Sequence, residues 1–499
     1  MTVPVAALVR TVLVAAAGAG VVLAATQHDG AFAIGSGART TPPSTASAAV
    51  RDSSLLCPGP ELRGVPGLAD EPVPGGVAAV TAPDRVLGST RPQGSGGSVT
   101  LRTMPGGAAL GSPATRRGAG TATTVAAATG VEVSATQDLA PGLAAAQSWL
   151  VPSGDRRALS VTACGEPGSD LWLLAGGGAP GRQERLVLTN PGGNPVSVDV
   201  TLHGAQGPVA SPGGSGLVVP AHGRTAFLID SISSDLANPA VHVVAHGGVV
   251  GAVVADTWLD GTRPAGSDDA VPSASPSREQ VVPAVSVDGH ATLRVVVPGR
   301  DEAVVQARVL TSNGPRALPT GGVVRVDGGA VHDFDLSGLP SGSVALQVRA
   351  DHPVAAAAMV VRDGPGKPGD LAWSSSTPAI DGVAGMPLAK PAGTPDGFVV
   401  RRSLLLTATG AATGVEVVTV DGAGNATSDR VSVAADSTTT VDVSAASSVW
   451  VHRVTGAGAL RAGVVSSGVD SSGTLISSTP LRDTTLRSST VAVREAPQG

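Results

Sequence analysis

Val196-Ser197-Val198-Asp199-Val200-Thr201-Leu202-His203, closed by Gly204-Ala205-Gln206-Gly207, alternates apolar and polar residues with a period of two. On an extended chain Val198, Val200 and Leu202 share one face and Asp199, Thr201 and His203 the other, so one side meets a core and the other meets water. The pattern returns as VVQARVLTSNG from Val304 and VEVVTVDGAGN from Val415, each ended by a Gly-containing turn. About ten residues earlier stand the runs beginning Leu186-Val187-Leu188-Thr189-Asn190-Pro191, Leu293-Arg294-Val295-Val296-Val297-Pro298 and Leu404-Leu405-Leu406-Thr407, at offsets of 107 and 111 residues.

Two further elements complete the repeat. The third is LVVPAHGRTAFLID from Leu217, VVRVDGGAVHDFDL from Val323 and VSVAADSTTTVDV from Val431; its polar or Gly-containing centre predicts a hairpin. The fourth is VHVVAHGGVVGAVVAD from Val241, VALQVRADHPVAAAAMVV from Val344 and VWVHRVTGAGALRAGVV from Val449, again two runs around a turn. Roughly six or seven short strands per 100 residues, with no helical period, predict immunoglobulin-like sandwiches. The fold class is therefore all-β: tandem immunoglobulin-like β-sandwich modules after an N-terminal apolar export or transmembrane helix. The boundaries fall at 1–33 for the signal peptide or single-span anchor, 34–56 for a flexible linker, and 57–168, 169–272, 273–380 and 381–490 for four modules. The first module is the most divergent, but its tail, LAAAQSWLVPSGDRRALSVTACGEP, resembles the closing strand and loop of the others. The period is too long for solenoids or ordinary propellers, and a four-bladed closed body stays open as an arrangement.

Composition agrees with short strands and tight turns: 67 Gly and 39 Pro punctuate the apolar runs, and five Trp, four Phe and no Tyr leave the cores to Val, Leu and Ala. A net charge of −6 with 14% charged residues argues against nucleic-acid binding. The pairs Arg116-Arg117, Arg156-Arg157 and Arg401-Arg402 read as solvated charge. Arg10 precedes the uncharged Thr11–Ala25, a positive n-region and apolar h-region that direct export. Cleavage and a retained span both fit, and either puts the modules outside the membrane. In that oxidising setting Cys57 and Cys164 read as a disulfide closing the first module, with buried thiols as the alternative.

Motifs for chemistry end in turns and strands. Gly176-Gly177-Gly178-Ala179-Pro180-Gly181 has dinucleotide-loop spacing, but Arg185 to Thr189 after it reads as a strand where a helix is required. His242 and His246 share one side of a strand without a third ligand, so no metal is expected. Asp421 to Asn425 reads as a hairpin loop, not a calcium site. Asp268-Asp269 and Asp70-Glu71 read as carboxylate pairs in Pro/Gly-rich loops, and adjacency in sequence does not span a sugar cleft. Trp149, Trp258, Trp373 and Trp450 near terminal strands, with Trp172 opening the second module, read as one core anchor per unit. No catalytic residue, cofactor or metal is assigned.

Cys57-Pro58, Cys164 followed by Pro167 and Trp172, and the Leu-Thr-Asn-Pro of the second module carry a resemblance. The chain after the export segment resembles a family of secreted or membrane-anchored actinobacterial proteins of unknown function. Its members look like companions of membrane glycosyltransferases in gene order, which implies an envelope role. The expectation is a non-catalytic, extracytoplasmic envelope protein that meets the membrane through its N-terminal helix and binds a protein or cell-wall glycan. The alternative is an envelope polysaccharide-acting enzyme with a site between modules.

Overall fold

The alternating runs become strands, and in each module they sort into two facing sheets. The computed structural model describes residues 46–490 apart from 63–72, 210, 234–235 and 365–366. In the second module one sheet runs Asp170–Leu174, Ala240–His246, Val196–Gly204, then the short pair Gly207–Val209 and Leu217–Val219. The other runs Arg224–Leu228, Arg182–Thr189, Gly251–Asp260, Arg263–Ala270. Numbered along the chain, the order is first-sixth-third-fourth facing fifth-second-seventh-eighth. The other three modules repeat it. In the third, the sixth and seventh strands are one continuous strand, Gly342–Gly364, whose two halves belong to the two sheets. Val198, Val200 and Leu202 do face the core, where they meet Leu186, Leu188 and Val254.

The third repeat element is not a hairpin. Leu217–Val219 pairs with Val196–Gly204, whereas Arg224–Leu228 pairs with Arg182–Thr189 in the opposite sheet. The same split separates Val323–Val326 from Val331–Asp335 and Ala426–Val433 from Ser437–Asp442. These bends are arches between sheets. A tight hairpin commonly needs two consecutive left-handed residues. Each arch has a single one: His222 (φ 48°), Gly329 (φ 79°) and Asp436 (φ 50°).

Ala49–Arg487 forms one compact unit, so the sandwiches are packed together and not strung out. The core of the second module continues into Val296, Val331 and Trp373 of the third, and the core of the fourth into Leu150, Leu159 and Val161 of the first. The eighth strands, Ala158–Ala163, Arg263–Ala270, Lys367–Ser375 and Gly473–Leu481, close a ring in which each lies against two others. Separately, Ala46–Ala49 and Arg487–Thr490 pair as a two-stranded sheet.

The predicted export segment and Asp70-Glu71 lie outside the described residues. Among the described residues no helix is long and apolar enough to cross a membrane. The predicted linker ends earlier than residue 56, because Asp52–Cys57 is already a strand paired with Gly130–Thr136. Cys57 and Cys164 are joined, with Cα atoms 4.5 Å apart across a separation of 107 residues. The bond is flanked by a backbone bridge between Leu56 and Gly165, at 2.8 and 3.1 Å. Closing so long a loop removes chain entropy worth up to about 4 to 5 kcal/mol from the unfolded state.

Candidate functional site

Four edge strands meeting in a ring pose a physical problem: each has a ladder partner on one side only, and the N–H groups on its other edge are buried. Side chains from neighbouring modules supply the acceptors. Asp370 Oδ2 accepts from Leu159 N of the first module at 3.1 Å and from Ile476 N of the fourth at 2.9 Å. Asp268 Oδ2 accepts from Trp373 N of the third module at 2.9 Å, while its Oδ1 accepts from Ser160 Oγ. Ser477 Oγ accepts from Val161 N at 2.9 Å. Small residues allow this approach. A Cβ at Gly266, whose φ is +111°, would stand 2.3 Å from Leu371 N.

Burial pushes the carboxyls of Asp268 and Asp370 well above the usual range, against the pull of their N–H donors. Asp269, held by the Gln147 amide at 2.8 Å, is raised to about 7, chiefly by burial. A raised carboxyl keeps its proton in the folded chain after the unfolded chain has lost it, so its contribution to stability falls as pH rises from about 4 to 7. Asn at this position does not titrate and keeps one acceptor for Gln147. Asp269→Asn is expected to gain on the wild type by up to about 4 kcal/mol between pH 4 and 8, followed by urea unfolding. His203, His332 and His452, lowered by burial, favour folding as pH rises toward 6.5, but they are common to both chains and cancel. A difference that stays flat with pH removes the assignment.

A second buried polar cluster joins the second and third modules. Arg182 forms a two-pronged ion pair with Asp256, which also accepts from Trp373 Nε1 at 2.7 Å. Glu184 accepts from Gly177 N at 2.7 Å and is raised to about 7 by burial and then by the charge of Asp256.

Two concavities open at the junction. One, of about 270 Å³, lies where the chain leaves the eighth strands, with Leu56, Ala163, Val271, Pro378 and Leu481 in its wall and Glu166, Asp170 and Asp483 among its polar residues. Glu166 accepts from Thr485 Oγ1, and Asp483 accepts from Asp381 N and Gly382 N at 2.8 and 3.0 Å. The other, of about 410 Å³, is lined by Asp170, Trp172, His203, His242, Ser275, Pro276 and Pro298. It borders the outer face of the second module's first sheet. There Trp172 pairs across strands with His242 and His242 with Thr201, while Asp170 and Asp199 flank Val244. His242 stacks on Trp172 at 4.1 Å and 10°.

These positions correct several expectations. Asp268-Asp269 lie in the buried strand Arg263–Ala270, not in a loop, because neighbouring backbone N–H groups and polar side chains solvate them. Arg156, Arg157 and Arg402 are buried, not solvated: Arg157 spans modules to Asp470 Oδ1 at 3.0 Å, and Arg402 binds the Ala389 carbonyl at 2.6 Å. Trp149, Trp373 and Trp450 are buried anchors, whereas Trp172, also largely buried, lines both concavities. Asp421 to Asn425 is a hairpin loop, its carboxylate accepting from Ala423 N and Asn425 N at 2.9 and 2.8 Å. The glycine-rich 176–181 joins two strands, so no helix follows it. His242 and His246 do share a face, each paired to a carboxylate: Asp170 at 3.0 Å and Asp199 at 2.9 Å. Among the described residues no group of three His, Cys, Asp or Glu is gathered to hold a metal ion.

No curated protein matches the chain. Three solved structures are weakly similar. Thermotoga maritima 1070 is 14% identical with a TM-score of 0.18, over 20% of this chain and 92% of that one. A tetra-tandem repeat from the extending region of a large adhesion protein is 14% identical with a TM-score of 0.10, over 77% and 90%. A Streptomyces avermitilis α-L-rhamnosidase complexed with L-rhamnose is 10% identical with a TM-score of 0.12, over 86% and 57%. A family model matches residues 119–444, about two-thirds of the sequence, and the chain belongs to that family of unknown function, DUF5719.

Proposed function

We propose that this is an exported, non-catalytic cell-envelope protein whose immunoglobulin-like sandwiches form one rigid body for binding a protein or a cell-wall glycan. The apolar N-terminus delivers it across the membrane and either anchors it or is cleaved. The supporting observation is how the buried acids at the module junction are used. Asp268 and Asp370 are occupied as acceptors for backbone N–H groups of adjoining modules, an architectural use that leaves no carboxylate pair facing substrate there. The surface concavities, by contrast, are open to a partner.

A second reading, an envelope polysaccharide-acting enzyme, draws on Glu166, Asp170 and Asp483 lining one cavity between modules. One experiment separates the two. A photo-crosslinking residue at Ser275, in full-length protein on intact cells, is expected to give a discrete adduct, and the same residue at exposed Arg325 none. A polysaccharide-cleaving activity of the purified protein that disappears in Glu166→Gln or Asp483→Asn would overturn the binding role.

A further inference from the structure

We propose that the outer face of the second module's first sheet, from Trp172 to His246, with the groove it forms against Ser275, Pro276 and Pro298, is a subsite for a neutral saccharide. The inference rests on the envelope-binding reading above and names the ligand class.

The strand register assembles this face. Trp172, His242 and Thr201 stand in one row and Asp170, Val244 and Asp199 in the next, with His246 opposite Ser197 and His203 further along. Their sequence neighbours Leu173, Val241, Val243, Val200 and Leu202 fill the module's own core, so the residues between them point out of it, Trp172 and His203 mostly buried against the third module and Asp170 and His242 at the rim. Three of the chain's nine His lie on this one surface, which concentrates hydrogen-bonding rings where an ordinary solvated sheet needs none.

The rings are held in place. His242 Nε2 is 3.0 Å from Asp170, His246 Nε2 is 2.9 Å from Asp199, and His203 Nδ1 is 2.7 Å from the Gly329 carbonyl of the third module. The carbonyl can only accept, so Nδ1 donates to it, and burial, which lowers the pKa of His203, favours the neutral ring in which Nε2 is an acceptor. Stacking of His242 on the indole and the tilt of His203 toward it at 5.0 Å fix both rings against Trp172. Preorganised groups of this kind lose little entropy when a ligand arrives.

The mixture of groups selects the ligand. Carboxylate and imidazole acceptors stand beside hydroxyl donors at Thr201 and Ser275, with the indole and two prolines as apolar walls. That combination suits sugar hydroxyls and the C–H faces between them. Asp170 and Asp199 disfavour an anion, and the absence of a three-ligand cluster among the described residues disfavours a divalent cation. An extended peptide would add to a free sheet edge, and along the edge strand Asp170–Leu174 the Trp172 carbonyl is already taken by Ser273 N at 2.8 Å. The groove, about 410 Å³, is in the range for a small ligand.

Isothermal titration of the full-length protein with neutral trisaccharides of glucose, mannose, galactose and arabinose is the test. At least one is expected to bind saturably, about tenfold or more weaker in Asp170→Ala and His242→Ala, and unchanged in Arg325→Gln. Both substituted side chains are at least partly exposed, and thermal melts confirm that the variants stay folded. Failure of all four sugars, binding that ignores both substitutions, or a zinc site abolished by them overturns the subsite. Co-sedimentation with isolated envelope polysaccharide distinguishes the two levels: if it persists in both variants, the subsite falls and envelope binding stands. If it fails and crosslinking captures nothing, both fall.

Discussion

Asp370→Ala is expected to lower the stability of the body by on the order of 5 kcal/mol, a large share of the usual total of about 5 to 15. The side chain is fully buried in the third module's eighth strand and serves the other three modules. Oδ2 receives Leu159 N from the first and Ile476 N from the fourth, Oδ1 receives its neighbour Leu371 N at 3.0 Å, and Gly266 of the second packs against it. Alanine strands three buried N–H donors at once, each costing about 1 to 3 kcal/mol. Relief of the carboxyl's own desolvation, visible in its raised pKa, offsets part of that. Asp370→Asn retains one acceptor oxygen but turns an NH₂ toward the remaining donors, so it is expected to fall between the two. Urea unfolding followed by circular dichroism reads the loss, and an alanine variant within about 1 kcal/mol of wild type would show that the ring is held by packing alone.

The strands themselves were legible because alternation is local: Val196 to His203 needs no partner to declare which residues face inward. The disulfide was legible for a similar reason, two cysteines bracketing one divergent module. Much of what escaped depends on contacts more than 100 residues apart. Asp268-Asp269 read as a loop because charge contradicts a buried strand, and only the N–H of Trp373, 105 residues later, makes Asp268 an acceptable core residue. Arg157 read as solvated for the same reason, its partner Asp470 being 313 residues away. The arches read as hairpins because a polar bend looks alike whether the chain returns to its own sheet or crosses to the other. Trp172 carried a weak signal, because alternation in the Asp-Leu-Trp-Leu-Leu run puts it on the side of Asp170 and opposite Leu173. The ring of eighth strands also had a trace in the sequence. Trp373-Ser374-Ser375-Ser376-Thr377-Pro378 returns as Ile476-Ser477-Ser478-Thr479-Pro480, and the small hydroxylated residues of these two eighth strands let their backbones lie against each other.

The ion pair that joins the second and third modules yields the other large effect. Arg182 and Asp256 are 4% and 0% exposed, and Asp256 is also the acceptor for Trp373 Nε1. Asp256→Ala leaves a guanidinium buried between the rings of Trp258 and Trp373, at 5.6 and 5.9 Å, without its principal counter-charge. Removing one partner of such a pair costs about 3 to 5 kcal/mol, whereas removing both can be nearly neutral. Glu184, 3.6 Å from Arg182, is the built-in reserve: without the repulsion of Asp256 its carboxyl is expected to move down from about 7 toward the ordinary range and take over part of the pairing. The destabilisation should therefore be smaller at pH 8, where Glu184 is ionised, than at pH 5. Arg182→Met in the same chain is expected to restore at least about 1 kcal/mol relative to Asp256→Ala alone, although Trp373 Nε1 keeps its lost acceptor. Urea melts of the two single variants and the double variant at both pH values measure the coupling. Strict additivity, with no dependence on pH, would mean that the aromatic rings alone hold Arg182 and that the carboxylates contribute nothing to the junction.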